Sequence, residues 1–422
     1  MAINYAAKFD SFRGRTLYER LSGEDRECLR NLAFTHRLTF PEFRQVAEAA
    51  RDLSMWGVGD LRGWYGARRP RGGKSGIGDK ERLLAELWAH LDRLRNGPVD
   101  YGTASPKAPV ERERKRTVTE NSDKTPFGMC PVASEKTVCC NLRTIDAVEN
   151  CVFGCSYCSV QTFYRDDIVF DRDLAGKLAA IRLESGRFYH IGTGQASDAL
   201  AWGNRAGILD ALCEFAAGHP GILLELKTKS DNVRYFLDHR APRNVVCSWS
   251  LNTPAVIANE EHFTAGLEGR LQAARAVADR GVRVAFHFHP MVHYEGWDRD
   301  YPEVAGMLME RFSPEEVAFI SFGSVTLIKP VIRKIRQLGN PTRMLQARFV
   351  PDPHGKMTYS DDVKIDLFRS MYEAFSPWQR RVFIYLCMEK AHIWEKAFGR
   401  AYESNEAFEA DFGLETMGKL PA

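Results

Sequence analysis

Three thiols carry the most specific chemistry in this chain. Cys151, Cys155 and Cys158 stand at C-x3-C-x2-C spacing within the stretch from Asn150 to Gln161, after a strand-like run and before a helix-like one. Soft thiolates at that density select an iron–sulfur cluster or zinc. A zinc site wants a second C-x2-C or a His pair at suitable spacing, and a bacterial ferredoxin run wants C-x2-C-x2-C; neither pattern is present. Three local ligands suit a [4Fe-4S] cube, because they leave one of its irons open to something that is not protein.

Three further thiols precede this loop, at Cys130-Pro131 and Cys139-Cys140. Their spacing could hold a second metal, but no recognisable fourth ligand accompanies them, so ordinary buried or free thiols are expected. The chain has 10 cysteines, unevenly clustered. That usage fits a reducing compartment in which thiols serve metals rather than disulfides.

The elements that must position these residues show from residue 142 onward as alternating strand-like and helix-like runs. Strands are predicted over 142–148, 187–192, 222–228, 244–251, 282–290 and 317–325. Helices are predicted over 172–184, 197–217, 232–238, 260–279, 302–312 and 329–338. This alternation is that of an α/β fold with a parallel sheet, here a partial (β/α)6 barrel of TIM type. Such barrels carry their sites at the carboxyl ends of the strands, where the cysteine loop falls.

The same rule nominates a residue set after each later strand. The second is followed by Gly192-Thr193-Gly194-Gln195-Ala196-Ser197-Asp198, in which glycines let backbone approach a ligand and Ser197 or Asp198 either lines the site or caps the next helix. The third ends in Lys227-Thr228-Lys229-Ser230, and Lys229 could pair with a carboxylate. On the fourth, Ser248, Ser250 and Asn252 share one face and read as ligand contacts. His287, His289, Met291 and His293 share parity on the fifth, and hydrogen-bonded histidines lining a polar cavity are expected there rather than a mononuclear metal. Tyr294 to Trp297 could line the mouth.

The expected divisions are a helical N-terminal domain over 1–110, a linker and Cys-bearing lead-in over 111–140, the barrel over 141–340 and a helical C-terminal extension over 341–422. Helix starts are predicted at Ser22-Gly23-Glu24-Asp25 and at Thr39-Phe40-Pro41-Glu42, with Phe43, Val46, Ala47 and Ala50 at helical spacing. Arg62, Arg68, Arg69, Arg71 and Lys74 lie without an acid among them, interleaved with Trp64 and Tyr65. Cations beside aromatics suit a phosphate backbone and stacked bases, or form a plain solvated loop. The run Arg112-Glu113-Arg114-Lys115-Arg116 reads as a solvated linker, and Tyr372, Trp378 and Trp394 as core. A net charge of +3 is too small to argue for nucleic acid by itself. No signal peptide and no run of about eighteen apolar residues is seen, so a cytoplasmic protein without a membrane span is expected.

The cysteine motif, with Tyr157 just before its last thiol, resembles the radical S-adenosylmethionine superfamily. The loop from Cys151 to Gln161, Thr193-Gly194 with Ser197-Asp198, Thr228-Lys229, Ser250-Leu251-Asn252 and His293 to Trp297 together resemble spore photoproduct lyase and its relatives, in order over about 125–365. The resemblance implies a [4Fe-4S] cluster on Cys151, Cys155 and Cys158, with S-adenosylmethionine chelated at the open iron and cleaved reductively to a 5′-deoxyadenosyl radical that abstracts hydrogen. It implies that Tyr157, Ser197, Lys229, Ser250 and Asn252 lie near the cofactor, and that Tyr157 and Gln195 lie near the chemistry. DNA is the implied substrate and partner, with the basic loop of Arg68, Arg69, Arg71 and Lys74 as contact. A flavodoxin or ferredoxin is the implied electron donor.

Two departures stand out. The family's hydrogen-donating cysteine is replaced by Gln195, whose N–H and C–H bonds are too strong to give hydrogen readily to a carbon radical. The family's tyrosine after the last cluster cysteine is Ser159 here. Substrates of another class, namely RNA, a peptide or a small metabolite, and a non-catalytic DNA-binding role remain as rivals. The segment after Arg348, from Val350 to Met357, is shorter than the lesion-gripping hairpin that the resemblance implies.

Overall fold

The computed structural model describes residues 5–68, 77–102, 115–130, 136–163 and 166–420. The chain forms two compact units, Met1–Glu111 with Ile328–Phe349 and Arg112–Leu327 with Val350–Ala422. Among the described residues no helix is long and apolar enough to cross a membrane.

The first unit is helical, with Tyr5–Arg13, Gly23–His36, Phe40–Trp56, Leu61–Gly66 and Ile77–Asn96. Both predicted helix starts form. Ser22 Oγ accepts the Asp25 N–H, and Thr39 and Glu42 make a capping box with Pro41 in the first turn. Phe43, Val46, Ala47 and Ala50 are buried as their spacing requires. Helix Lys329–Leu338 forms at the predicted residues but belongs to this unit, because its Arg336 ends on the buried Asp52 carboxylate at 2.7 and 2.8 Å. Of the basic loop, Arg69, Arg71 and Lys74 lie outside the described residues. Arg62 pairs with Glu24 at 2.7 Å, and Arg68 lies over the Trp64 ring at 4.8 Å. Trp64 itself is 7% exposed and stacks with His90, so it is a core ring here and not an open platform for a base.

The second unit is built on an eight-stranded curled sheet. Its strands are β1 (Phe127–Met129), β2 (Arg143–Ile145), β3 (Tyr189–Thr193), β4 (Ile222–Thr228), β5 (Val245–Ser250), β6 (Arg283–Met291), β7 (Val317–Ser324) and β8 (Phe383–Leu386). From β2 to β8 every pairing is parallel, and β1 joins the β2 edge antiparallel. The strands are near-continuous apolar runs because helices cover their outer face. Each of the six predicted strands is present. The first is shorter than expected, since Val148–Glu149 turns away to pair with Ile168–Asp171 in a small separate sheet that also holds Thr117–Glu120. The strand β8 is an addition from the C-terminal stretch, which had read as helical.

The helices differ more. The expected helix 172–184 is only Leu174–Ala179, and 197–217 begins as a loop and becomes helical at Ile208–Gly218. The reason for the second is Asp198, whose Oδ1 takes the Leu200 and Ala201 N–H groups and holds a turn there. The expected helix 260–279 starts only at Leu267–Asp279; a separate helix Pro254–Glu260 ends where it was to begin, with Phe263 at φ 66° in the break between them. Tyr372 stacks on Phe398, and Trp378 and Trp394 are buried, as core residues. Residues Val350–Pro351 and Met357–Thr358 pair as a short hairpin on Thr326–Leu327.

Candidate cluster and cofactor site

The cysteine loop leaves the carboxyl end of the β2 region and is fixed by backbone before any cofactor is considered. Asn150, buried and at φ 68°, turns the chain, and its carbonyl accepts the Ser197 hydroxyl at 2.8 Å. Gly154 N–H donates to His262 O at 3.1 Å and Ser156 N–H to Glu260 O at 2.8 Å, so the loop docks on the break between the two helices. The missed break is therefore part of the site. A continuous helix would have engaged the Glu260 carbonyl in its own ladder.

The donor set fits an iron–sulfur cluster. Phe153 N–H points at Cys151 Sγ, 3.4 Å away, and N–H donors to sulfur favour the thiolate that a cluster needs. Without metal, burial pushes the Cys151 thiol up to about 12 and the Cys155 thiol well above its ordinary range, while the Lys229 ammonium pulls both down. Ligated iron would hold them deprotonated. Among the described residues no group of three or more His, Cys, Asp or Glu side chains closes on a point as a single ion requires. A cube, with irons at its corners, asks for thiolates spread around it instead.

Tyr157 is the residue that locks the loop. Its hydroxyl donates to the buried Glu261 carboxylate, and the Lys229 ammonium lies 5.7 Å from its ring centroid. Burial works against a charge on Glu261, but Arg270, Lys229 and the Tyr157 hydrogen bond outweigh it and hold the carboxyl below its usual range. Arg270 is fully buried; it donates to Glu261 at 2.5 Å and to Ser250 O and Ala265 O, both at 2.8 Å. Sequence reading missed this Glu261–Arg270 pair, because an arginine on an ordinary helix gives no sign that it will be covered.

The remaining predicted residues fall into two groups. Ser197 and Lys229 lie beside the loop, and Gln195 Nε2 reaches to 3.6 Å from where a Cβ on Gly192 would stand. Asn252 is fully buried and its amide is engaged within the protein, donating to Pro290 O and accepting from Tyr301. Ser248 is buried too, donating to Glu225 Oε1 at 2.5 Å rather than facing a ligand. Gly194, at φ 95°, serves the protein's own backbone: a Cβ there would meet Lys227 O at 2.5 Å. Asp198 is both cap and tie, its Oδ2 accepting Lys229 N–H at 2.7 Å.

Deeper in the barrel, Glu225 joins three elements. It bonds His190 at 2.8 Å and His287 at 2.5 Å, and Ser321 links His287 to His289. Burial raises the Glu225 pKa, but His287 and His190 outweigh this and hold the carboxyl well below its usual range. Burial lowers His287 to about 4, so its ring is neutral near neutral pH. The parity of Glu225 with Lys227 and Lys229, on an otherwise apolar strand, was the signal available for this network.

The fold is a curled half-barrel of parallel strands, with three cysteines on the loop after its first strand and a serine and a lysine at the next strand ends. The family model for spore photoproduct lyase matches residues 144–337. The spore photoproduct lyase of Clostridium acetobutylicum is 24% identical over 227 residues, covering 51% of this chain and 67% of that protein. That of a Geobacillus species is 24% identical over 208 residues, covering 47% and 61%. The structure of a spore photoproduct lyase complexed with dinucleoside spore photoproduct covers 72% of this chain and 94% of that one, at 22% identity and a TM-score of 0.56. A variant with bound AdoMet and the same dinucleoside aligns equally well, at a TM-score of 0.56. These likenesses to solved structures establish the fold. The family match, over somewhat less than half of the chain, shows a likeness to spore photoproduct lyase in the part that holds the cysteine loop and the barrel strands.

Proposed function

We propose that this enzyme abstracts hydrogen from a damaged or modified nucleotide in DNA. The observation that carries this reading is the docked loop of Cys151, Cys155 and Cys158 at the carboxyl end of the barrel, in a chain whose relatives are named for a DNA lesion. Cys151, Cys155 and Cys158 would hold a [4Fe-4S] cluster. The cluster, with S-adenosylmethionine bound, would supply a reducing electron and a 5′-deoxyadenosyl radical.

The chain's own residues provide position. Ser197 and Lys229, tied to the loop through Asn150 and Tyr157, are placed to meet the methionine part of the cofactor. Ser250 and Asn252 support that wall from behind, through Arg270 and Tyr301 respectively. Tyr157 keeps the loop closed on Glu261 and excludes water from the thiols. Gln195 cannot return hydrogen to a product radical, so another group is the expected donor, and a lesion other than the spore photoproduct is the substrate to test first. A small redox protein of the flavodoxin or ferredoxin type is the expected electron donor, and the N-terminal basic loop the expected DNA contact.

The test is anaerobic turnover of the reconstituted full chain with ultraviolet-damaged DNA. Release of 5′-deoxyadenosine is expected to rise with damaged DNA over undamaged DNA. The dinucleoside spore photoproduct should be repaired poorly by the natural chain and better by Gln195→Cys. Equal release with damaged and undamaged DNA would contradict the DNA reading, and rapid repair by the natural chain would contradict the argument from Gln195.

A further inference from the structure

Between the Glu225 network and the cysteine loop, one cation in the barrel stands apart. Glu225 on β4 points into the barrel, since its carboxylate meets His190 of β3, Ser248 of β5 and His287 of β6. Side chains alternate along a strand, so Lys227 points inward as well, one layer nearer the carboxyl ends. His289 stands in the corresponding layer of β6, where Ser321 of β7 bonds its Nε2 at 3.0 Å as well as the His287 ring below it. Both strands are packed, yet Lys227 is the one half-buried residue of β4, and His289 follows a run of five buried ones on β6. Open space therefore reaches these two side chains in the middle of the sheet.

Two glycines shape that space. At Gly323 on β7 an added Cβ would stand 3.1 Å from Cδ2 and Nε2 of His289, so the bare backbone is what lets the imidazole lie against the strand. Gly192 on β3, paired in register with Glu225, offers no side chain of its own, and Gln195 Nε2 comes over it instead, 3.6 Å from where its Cβ would be. Adjacent strands are about 4.8 Å apart, which puts this amide beside the Glu225 to Lys227 stretch. The polar ends here are not spent on the protein. Among the described residues neither the Lys227 ammonium nor the Gln195 side-chain amide makes a hydrogen bond, and Glu225 is engaged elsewhere: Ser248 and His287 take Oε1, and His190 takes Oε2. Burial holds the Lys227 pKa below its ordinary value, against the pull of Glu225. An ammonium so placed costs stability, and costs of that kind are kept at binding sites.

We propose that Lys227 and Gln195 bind one oxyanion of the substrate in this space, with the His289 ring as the next wall. The proposal rests on the reading of a nucleotide substrate only in taking that oxyanion to be a phosphate. An ammonium and an amide N–H are both donors, and with no carboxylate free beside them they suit an oxygen that carries negative charge. The single positive charge of Lys227 matches the single negative charge of a phosphodiester. Lys229, two residues further along the same face, is placed for the cofactor, so the phosphate would lie on the order of 7 Å deeper than that contact. Held there, the substrate is gripped inside the barrel, and its reacting carbon is brought up to the cofactor from below.

The test begins with crystals of the full chain soaked in selenate, which mimics phosphate and is located by its anomalous scattering. Selenate within hydrogen-bond distance of Lys227 Nζ is expected, and none there in Lys227→Met. An empty position at Lys227 in the natural chain, or selenate that stays in the variant, would overturn the subsite. Lys227→Met should also unfold no earlier than the natural chain in chloride buffer, since it removes an unpaired charge. A clear loss of stability would assign the ammonium to holding the barrel and overturn the proposal. The second arm is binding of ultraviolet-damaged oligonucleotides. Lys227→Met should weaken it about ten- to a hundredfold, the worth of one charge-assisted hydrogen bond. A neutral methylphosphonate at the lesion should weaken binding to the natural chain as much, and add nothing in the variant. Equal weakening in both chains would overturn the phosphate assignment. If damaged DNA is not bound at all, the nucleotide reading fails, and the selenate position still decides the subsite.

Discussion

Polar side chains occupy the barrel interior at two depths, and the protein uses them differently. Deep in the sheet, Glu225, His190, His287, Ser248 and Ser321 are spent on one another. At the carboxyl ends, the Lys229 ammonium lies 5.7 Å from the Tyr157 ring centroid and near enough to Cys151 and Cys155 to favour their thiolates, while the loop is held by backbone and by the Glu261–Arg270 pair. A polar residue on a barrel strand is therefore no sign of a ligand until its partners are counted. The deep group ties the strands to one another, and the upper group is the one to which the proposed function gives a cofactor.

Breaking the upper group should abolish chemistry and spare the fold. Cys155→Ala is expected to lower S-adenosylmethionine cleavage by on the order of a thousandfold or more, since ligands acting as a unit cannot be removed singly, while thermal unfolding of the metal-free chain changes little. Breaking the deep group should do the reverse. Glu225→Ala leaves His190, His287 and Ser248 without their shared partner and should cost at least about 1–3 kcal/mol in denaturant unfolding, the cost of one unsatisfied buried polar group; a cost below about 1 kcal/mol would mean that the network does not hold the barrel.

The same group sets the acid limit. His287 is neutral in the fold down to about 4 but takes up a proton near its ordinary 6.5 when unfolded. Between those values the unfolded chain binds more protons, so stability is fully present above 6.5 and falls as the pH drops toward 4. Glu225, held well below its usual range, adds loss in the same direction at lower pH. His287→Asn should flatten the slope of unfolding free energy between pH 6.5 and 4.

Smaller effects sharpen the boundary. Gly194→Ala must strain a backbone at φ 95° and push a Cβ against Lys227 O, so a loss of about 1–3 kcal/mol is expected, with disturbance of the adjoining Ser197 contact. Arg116→Ala removes an exposed pair with Asp167 at 3.0 Å and should change stability by no more than about 0.5 kcal/mol.

Much of this division was legible in the residues. The period of apolar runs gave six of the eight strands; it missed β1, three residues in a stretch that read as a linker, and β8, whose Phe383–Leu386 is four residues long and lay in a stretch that read as helical. The cysteine spacing singled out Cys151, Cys155 and Cys158 as the ligand set on which the proposed function rests. What stayed hidden was long-range: Glu261 with Arg270 stands behind Tyr157 across a gap that no periodicity spans. Ser248 was read as a ligand contact from parity alone, which tells the face of a strand but not what already fills it. The helix break at Phe263 was missed because apolar spacing continues across it, although Gly266 marks where the second helix starts.

The most direct measurement is 5′-deoxyadenosine and methionine formed from S-adenosylmethionine by the anaerobically reconstituted, dithionite-reduced full chain, beside the Cys151→Ala, Cys155→Ala, Cys158→Ala variant. Both products from the natural chain, and neither above background from the variant, are expected. Absence of 5′-deoxyadenosine from the natural chain, with its iron and sulfide in place, would contradict the radical chemistry assigned to this fold.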